Sequence, residues 1–349
     1  MPRRFSQSLS SPERYKPPFT LGPAIVPLVA MISELVGRRS AMDASASSLH
    51  LRRVNQIRSI QGSLAIEGNT LTQDQITAIL DGKRVIAPFR EIQEVRNAIK
   101  VYDKIQTWAF DSEADLLSAH GLMMAGLHDE IGRYRHGGVG ILKGEAVIHL
   151  APPAERVPVL MRDLFGWLGK TSDHPLIASS VFHYEFEFIH PFADGNGRMG
   201  RLWQSLILAR WNPLFARLPV ESLVFEHQAE YYEAINTSTA KADSAPFIQF
   251  MLSMILAALK DMVAPEVAPE VSPEVRKLVK CLKGEMSRLE IQRRLRLTDE
   301  KNVRLRYLLP ALDAGLIERT IPEKPRSRLQ KYRLTAKGRS ALGNFRINR

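Results

Sequence analysis

The residues most able to do chemistry lie in one short run, His190-Pro191-Phe192-Ala193-Asp194-Gly195-Asn196-Gly197-Arg198-Met199-Gly200-Arg201. A glycine-rich turn that opens a helix presents free backbone N–H groups and the positive end of the helix dipole, which together form an anion site. Gly195 and Gly197 let the backbone approach a phosphate closely. The Asn196 side chain adds an amide donor. Arg198 and Arg201 are three apart, so they share one helix face and can clamp phosphate oxygens. Asp194 is a hard oxygen ligand of the kind that holds magnesium already carrying phosphate. His190 is the one group in the run that can take a proton near neutral pH. Taken singly, such residues are turns, caps and solvated arginines. As a set they describe a triphosphate at a helix N-terminus beside one base.

The elements that must position this run are mostly helical. An apolar helix end, Val181 to Ile189, leads into it and another helix leaves from Leu202. Upstream, Leu49 to Ile66 carries Leu51, Val54, Ile57, Ile60 and Leu64 on one face. Gly68-Asn69 ends that helix, and Thr72 with Gln75 reads as a capping box that starts the next. Helices are expected over 90–108, 113–127, 157–168, 175–188, 195–210 and 246–264. Met1 to Pro18 reads as a loose, proline-rich arm. Residues 137–153 break the pattern. Val139, Ile141, Val147 and His149 alternate around Gly144, as in a short β-hairpin.

The twelve-residue run resembles the Fic signature, His-Pro-Phe-x-x-Gly-Asn-Gly-Arg-x-x-Arg, at all eight fixed positions. The resemblance covers about Tyr15 to Leu259. It implies a mainly α fold: a Fic-type helical core with a β-hairpin flap. Fic proteins move a nucleotide monophosphate, usually AMP from ATP, onto a Ser, Thr or Tyr hydroxyl. The resemblance makes His190 the base and Asp194 the Mg²⁺ ligand. Gly195, Asn196 and Gly197 become the cradle of the α- and β-phosphates, and Phe192 a packing residue that fixes the loop. Arg198 would contact the phosphate chain and Arg201 the γ-phosphate. The hairpin after Gly132-Arg133-Tyr134-Arg135, with Val139, Gly140, Ile141 and Leu142, would hold the target protein by strand addition. Tyr232 would line the nucleotide pocket, although Tyr231 and Tyr232 read equally as core aromatics. Ser63-Leu64-Ala65-Ile66-Glu67-Gly68 resembles the family's inhibitory pattern, Ser/Thr-x-x-x-Glu-Gly/Asn. Glu67 would then pair with Arg201 and displace the γ-phosphate, and in some relatives the same glutamate helps to remove AMP again. Its carboxylate lies unfavourably at a helix C-terminus, which itself argues for a specific partner.

The chain has 349 residues and a net charge of +11. Up to Ser272 it carries 27 basic and 29 acidic residues, whereas from Pro273 it carries 21 against 8. The excess therefore sits in a separate module, and on charge alone an anionic partner and a solvated basic surface fit it equally. A tetrapeptide repeated three times, Ala264-Pro-Glu-Val267 to Ser272-Pro-Glu-Val275, forms a stiff spacer. Beyond it the order is helix, helix, helix, hairpin (274–283, 288–295, 299–314, then strands at 316–321 and 329–335). That is the order of a small C-terminal winged helix-turn-helix domain. Pro310 is expected to kink its third helix. Arg304, Arg306, Arg328 and Lys331 would face DNA; the rival reading is a module that only binds protein or pairs subunits. The boundaries expected are 1–110, 111–261, 262–275 and 276–349.

The single cysteine, Cys281, excludes an intrachain disulfide and a thiolate cluster. The longest apolar run, Phe19 to Ile32, contains Pro23 and Pro27 and is shorter than the roughly 20 residues a membrane helix needs. It reads as neither a span nor a signal peptide. The expectation is a cytoplasmic, self-inhibited protein adenylyltransferase using Mg-ATP. Its partners would be a protein hydroxyl (its own included), DNA through the tail, and a second copy in a homodimer. The alternatives are a Fic enzyme that transfers another nucleotide, and a DNA-binding regulator whose nucleotide site is a sensor.

Overall fold

The computed structural model describes residues 15–42, 49–138, 140–143, 146–263, 272–297, 299, 302–321, 323, 327, 329–335 and 338–339, without side-chain placements at 40–52, 140–150 and 263. The chain divides into two units, Met1–Met262 and Val263–Arg349.

The first unit is helical: α1 (Ile25–Met42), α2 (Leu49–Ile66), α3 (Gln73–Leu80), α4 (Phe89–Lys104), α5 (Glu113–Met123), α6 (Val157–Leu168), α7 (Pro175–Ile189), α8 (Asn196–Trp211), α9 (Val220–Glu226), α10 (Gln228–Lys241) and α11 (Ala245–Val263). One antiparallel hairpin, β1 (Gly140–Lys143) and β2 (Ala146–Leu150), stands between α5 and α6, with its register shifted at Ile141/Leu142. A single core joins residues from α1 to α11, and buried positions from Ile25 to Trp108 are part of it. α7 and α8 form its centre. Almost every residue of α7 is buried, and the large side chains Phe182, Phe186, Phe192 and Trp203 are fully enclosed.

Ile57, Ile60, Leu64 and Ile66 of α2 enter the same core. Gly62 lets α2 approach α9 so closely that a Cβ there would lie 2.6 Å from the backbone of Glu221 and Ser222. The helix that leads into Glu67 is thus an integral wall of the fold. At its end Gly68 takes φ +90, and Thr72 and Gln75 form the expected capping box.

Several elements differ from the sequence expectation. α1 forms across part of the proline-containing apolar run, because Pro27 falls in the first turn, where a missing N–H costs nothing. α9 and α10 were not visible as amphipathic patterns. α4 and α5 end four residues earlier than the periodicity suggests, at Lys104 and Met123. α11 is the one helix among the described residues long and apolar enough to cross a membrane, and half of that stretch is buried in the core.

The second unit contains α12 (Pro273–Cys281), β3 (Met286–Ser287), α13 (Arg288–Leu295), a π-helical turn (Val303–Leu308), α14 (Leu309–Asp313), β4 (Ile317–Arg319) and β5 (Lys331–Leu334). The strand order is β3-β5-β4, so the expected two-stranded wing gains a third strand next to α13. Pro310 falls in the first turn of α14, and the chain before it widens into π geometry rather than bending one continuous helix. Val275, Leu278, Ile291, Val303, Leu308 and Ile317 fill its own core.

Candidate active site

The run from His190 to Arg201 turns from the end of α7 into the start of α8. His190 is the C-cap of α7 in the left-handed region, with φ 50 and ψ 62. Gly195 is the N-cap of α8 with φ 86, and no side chain caps the helix. Its leading amides are therefore directed at whatever lies before them. Three contacts hold the loop in shape. The Asn196 side chain accepts from Phe192 N–H and donates to Phe192 C=O, both at 2.8 Å. The oxygen and one N–H of the side chain thus close the loop on itself, and the expected donation to a phosphate would fall to the second N–H and to the backbone amide. Phe192 is fully buried and stacks on His120, with centroids 3.7 Å apart and planes 4° apart. His120 Nε2–H donates to the Asp194 carbonyl at 3.0 Å, and Nδ1 accepts from Gly132 N–H at 2.9 Å. Burial pushes this imidazole down to about 4, so it is neutral. The sequence gives no sign of His120, because its partners lie 12 and 74 positions away.

The cationic groups are placed for an anion. Arg198 is 3% exposed, and its Nε and Nη1 have no hydrogen-bond partner. Nη2 donates to Asp194 at 3.1 Å, and Nη1 lies 3.8 Å from Glu94. Unsatisfied buried guanidinium donors are costly without a ligand, so this residue fits a phosphate. The Asp194 carboxylate also accepts from Gly195 N–H and Arg90. It is partly exposed and fits a divalent cation that takes most of its ligands from phosphate and water.

Arg201 is 3% exposed and engaged. Its Nη2 donates to Glu67 Oε1 at 2.6 Å and to Ser63 C=O at 3.0 Å, and its Nε donates to Ser63 Oγ at 3.2 Å. A Cβ at Gly197 would stand 2.9 Å from Arg201 Nη1 and closer still to Glu67 Oε1. The Glu67 carboxylate thus lies over the amide end of α8. Gly68 supplies the left-handed turn behind it. The following loop is clamped to α4 by Asn69 on Glu94 at 2.9 Å and Thr70 N–H on Glu91 at 2.6 Å. Tyr232 is 42% exposed at the rim, whereas Tyr231 is buried and bonded to His183 Nε2 at 3.1 Å. Gly140, Ile141 and Leu142 lie in β1, and Val139 lies outside the described residues. In the second unit Arg304, Arg306 and Lys331 are exposed, whereas Arg328 lies outside the described residues.

Behind the loop, Glu187 lies 4.0 Å from His190 Nδ1 and 3.8 Å from His183 Nε2. Burial pushes its carboxyl up to about 8, with Arg201 opposing and Glu67 adding to the shift. A carboxyl raised in the folded state binds its proton there at a pH where the unfolded chain has lost it. Its stabilising effect is therefore full below about 4.5 and is lost as the pH rises through about 8. Urea midpoints measured between pH 6 and 9 should fall for the wild type and fall less steeply for Glu187→Gln. Parallel profiles would remove this assignment.

Residues 110–208 match the Fic/DOC family, and 273–335 match the Filamentation induced by cAMP protein Fic-like, C-terminal domain. A crystal structure of a Fic family protein from Desulfovibrio desulfuricans G20 is 52% identical, with a TM-score of 0.71, covering 93% of this chain and 99% of that one. The chain belongs to the Fic family. Fic-1 from Caenorhabditis elegans superposes with a TM-score of 0.56 at 25% identity, over 68% of this chain and 74% of that one. Among curated proteins, the protein adenylyltransferase Fic of Nematostella vectensis is 31% identical over 59% of this chain and 49% of its own length. The chain spans about half the length, or less, of such relatives. The Fic fold and the mainly helical class read from the sequence are therefore present.

Proposed function

We propose that this Fic protein is a protein adenylyltransferase that moves AMP from ATP to a Ser, Thr or Tyr hydroxyl and holds itself in check through Glu67. The observation that carries the reading is the pairing of Arg201 with Glu67 and Ser63, next to Arg198, whose Nε and Nη1 make no hydrogen bond. One anion position is filled by the chain itself and another is left for a ligand. The relatives named protein adenylyltransferase support the same chemistry.

In the reaction, His190 takes the proton of the target hydroxyl. The hydroxyl oxygen bonds to the α-phosphorus, the bond to the β-phosphate oxygen breaks, and pyrophosphate leaves. The α8 amides and Arg198 hold the phosphate chain in line, which supplies most of the rate. Asp194 would hold Mg²⁺, which when bound neutralises developing charge on the phosphates. The β1 edge would receive the target backbone, and Tyr232 stands at the rim where the nucleoside would lie. The test is intact-mass and peptide mass spectrometry after incubation with Mg-ATP and a cell extract. A gain of one AMP in Glu67→Gly, absent in Glu67→Gly/His190→Ala, is the expected result. If ATP binds and no variant gains AMP, another nucleotide must be considered.

We also propose DNA as the anionic partner of the second unit, from its charge and from exposed Arg304, Arg306 and Lys331. Arg333 is held by Glu318 and Glu285 and serves the wing itself. Retention of a short duplex by the full chain should fall as salt is raised. Retention that ignores salt, or none at low salt, would remove DNA.

A further inference from the structure

The segment from Gly132 leads out of the α5 end into the hairpin, and Arg135 lies within it. This guanidinium is 3% exposed. Every hydrogen bond it donates among the described residues ends on a backbone carbonyl. Nε donates to His190 at 2.7 Å, and Nη2 to Pro152 at 2.6 Å and Ile189 at 3.3 Å. Nη1 donates to Gly137 at 2.8 Å, and the Arg135 backbone N–H to Pro191 at 2.9 Å. Ile189 and His190 carry carbonyls that the end of α7 leaves unpaired. A cation there satisfies them and complements the negative helix end. Gly137 and Pro152 stand just outside the two strands, one on each foot of the hairpin.

We infer that Arg135 is a positioning residue that ties the backbone of His190 to both feet of the hairpin. It rests on the reading of His190 as the base and of the hairpin as the target's docking edge. His190 has a left-handed backbone, which a residue with a Cβ adopts only when its surroundings hold it there. The loop beyond it is held by Asn196 on Phe192 and by the His120 stack, neither of which involves Arg135. What Arg135 alone adds is the link from His190 to Gly137 and Pro152. It sets the base and the docking edge in one register, so the hydroxyl arrives where the proton acceptor stands. A planar fork with donors on three nitrogens can span these carbonyls. A lysine, with one nitrogen, keeps the charge and cannot span them.

The test places Arg135→Lys, and separately Arg135→Gln, in the Glu67→Gly chain. The rate of AMP addition to the protein itself and to an extract should fall about 10–100-fold, as misplacement of a reacting group by an ångström does. ATP affinity by calorimetry should be retained, because Arg135 touches no phosphate-facing group. Hydrogen exchange should quicken together in segments 186–192 and 150–153 and stay unchanged in the first turns of α7. Unchanged exchange in those two segments overturns the inference, and so does a rate that falls only in step with ATP affinity. If Glu67→Gly itself adds no AMP, it is the adenylyltransferase reading that fails, and the exchange measurement still decides the role of Arg135.

Discussion

Replacing Glu67 with glycine is expected to raise AMP transfer about 10²-fold, the scale set by bringing a misaligned phosphate into line. The reason lies in what occupies Arg201. Glu67 Oε1 lies 2.6 Å from Nη2, and Ser63 takes the remaining directed bonds. The guanidinium is almost fully enclosed, whereas the Glu67 side chain is 34% exposed. A phosphate oxygen that should meet Arg201 therefore finds a charge-assisted bond already made and a carboxylate over the α8 amides. The same substitution has a cost. It leaves a buried cation without its counter-charge, worth about 1–3 kcal/mol after allowing for the exposure of Glu67. The melting temperature of Glu67→Gly should fall, and Mg-ATP should restore it more than it raises that of the wild type, because a phosphate then supplies the missing charge. Glu67→Gln keeps a hydrogen-bond acceptor on Arg201 and should activate less. Equal transfer by wild type and Glu67→Gly, or equal stabilisation of both by ATP, would refute competition for Arg201.

The residues of this contact were legible in the sequence because both motifs are local. Ser63 and Glu67 are one helical turn apart, and the run 190–201 is continuous. The sequence could also supply the helix ends at Gly68 and Thr72, since capping chemistry is short-range. It could not supply His120 or Arg135. Their hydrogen bonds run to backbone groups that any residue type would present, 54 and 55 positions away for Arg135 on Ile189 and His190. The second task of Asn196 was hidden for a related reason: that its side chain also closes the loop on Phe192 depends on where Phe192 is placed. α10 escaped notice because its buried positions, Tyr231, Ala234 and Ser238, include a small residue and a polar one. In the tail, helix content was readable, but the π turn before Pro310 depends on packing of Val303, Tyr307 and Leu308.

The second large effect is the loss expected from His190→Ala in the Glu67→Gly background, about 10²–10⁴-fold in AMP transfer. His190 closes α7 with a left-handed backbone, at the start of the loop that leads into α8. Its carbonyl is gripped by Arg135, and the residues beyond it are pinned through Phe192. The backbone is thus fixed by contacts that alanine would keep. Both residues carry a Cβ, so the left-handed strain is similar in each, and stability should change little. On the proposed reading the phosphate contacts fall to the α8 amides and Arg198, so ATP affinity should survive. The signature is therefore a fall in kcat with Kd for ATP and melting temperature near those of the parent. A general base acts only on the step that moves the proton, and this separation is what that role requires. A double variant that transfers AMP at the parent rate would show that the hydroxyl proton leaves by another route. A double variant that also loses ATP would place His190 in binding, and the chemistry assigned to the loop would then have to be rebuilt around a different acceptor.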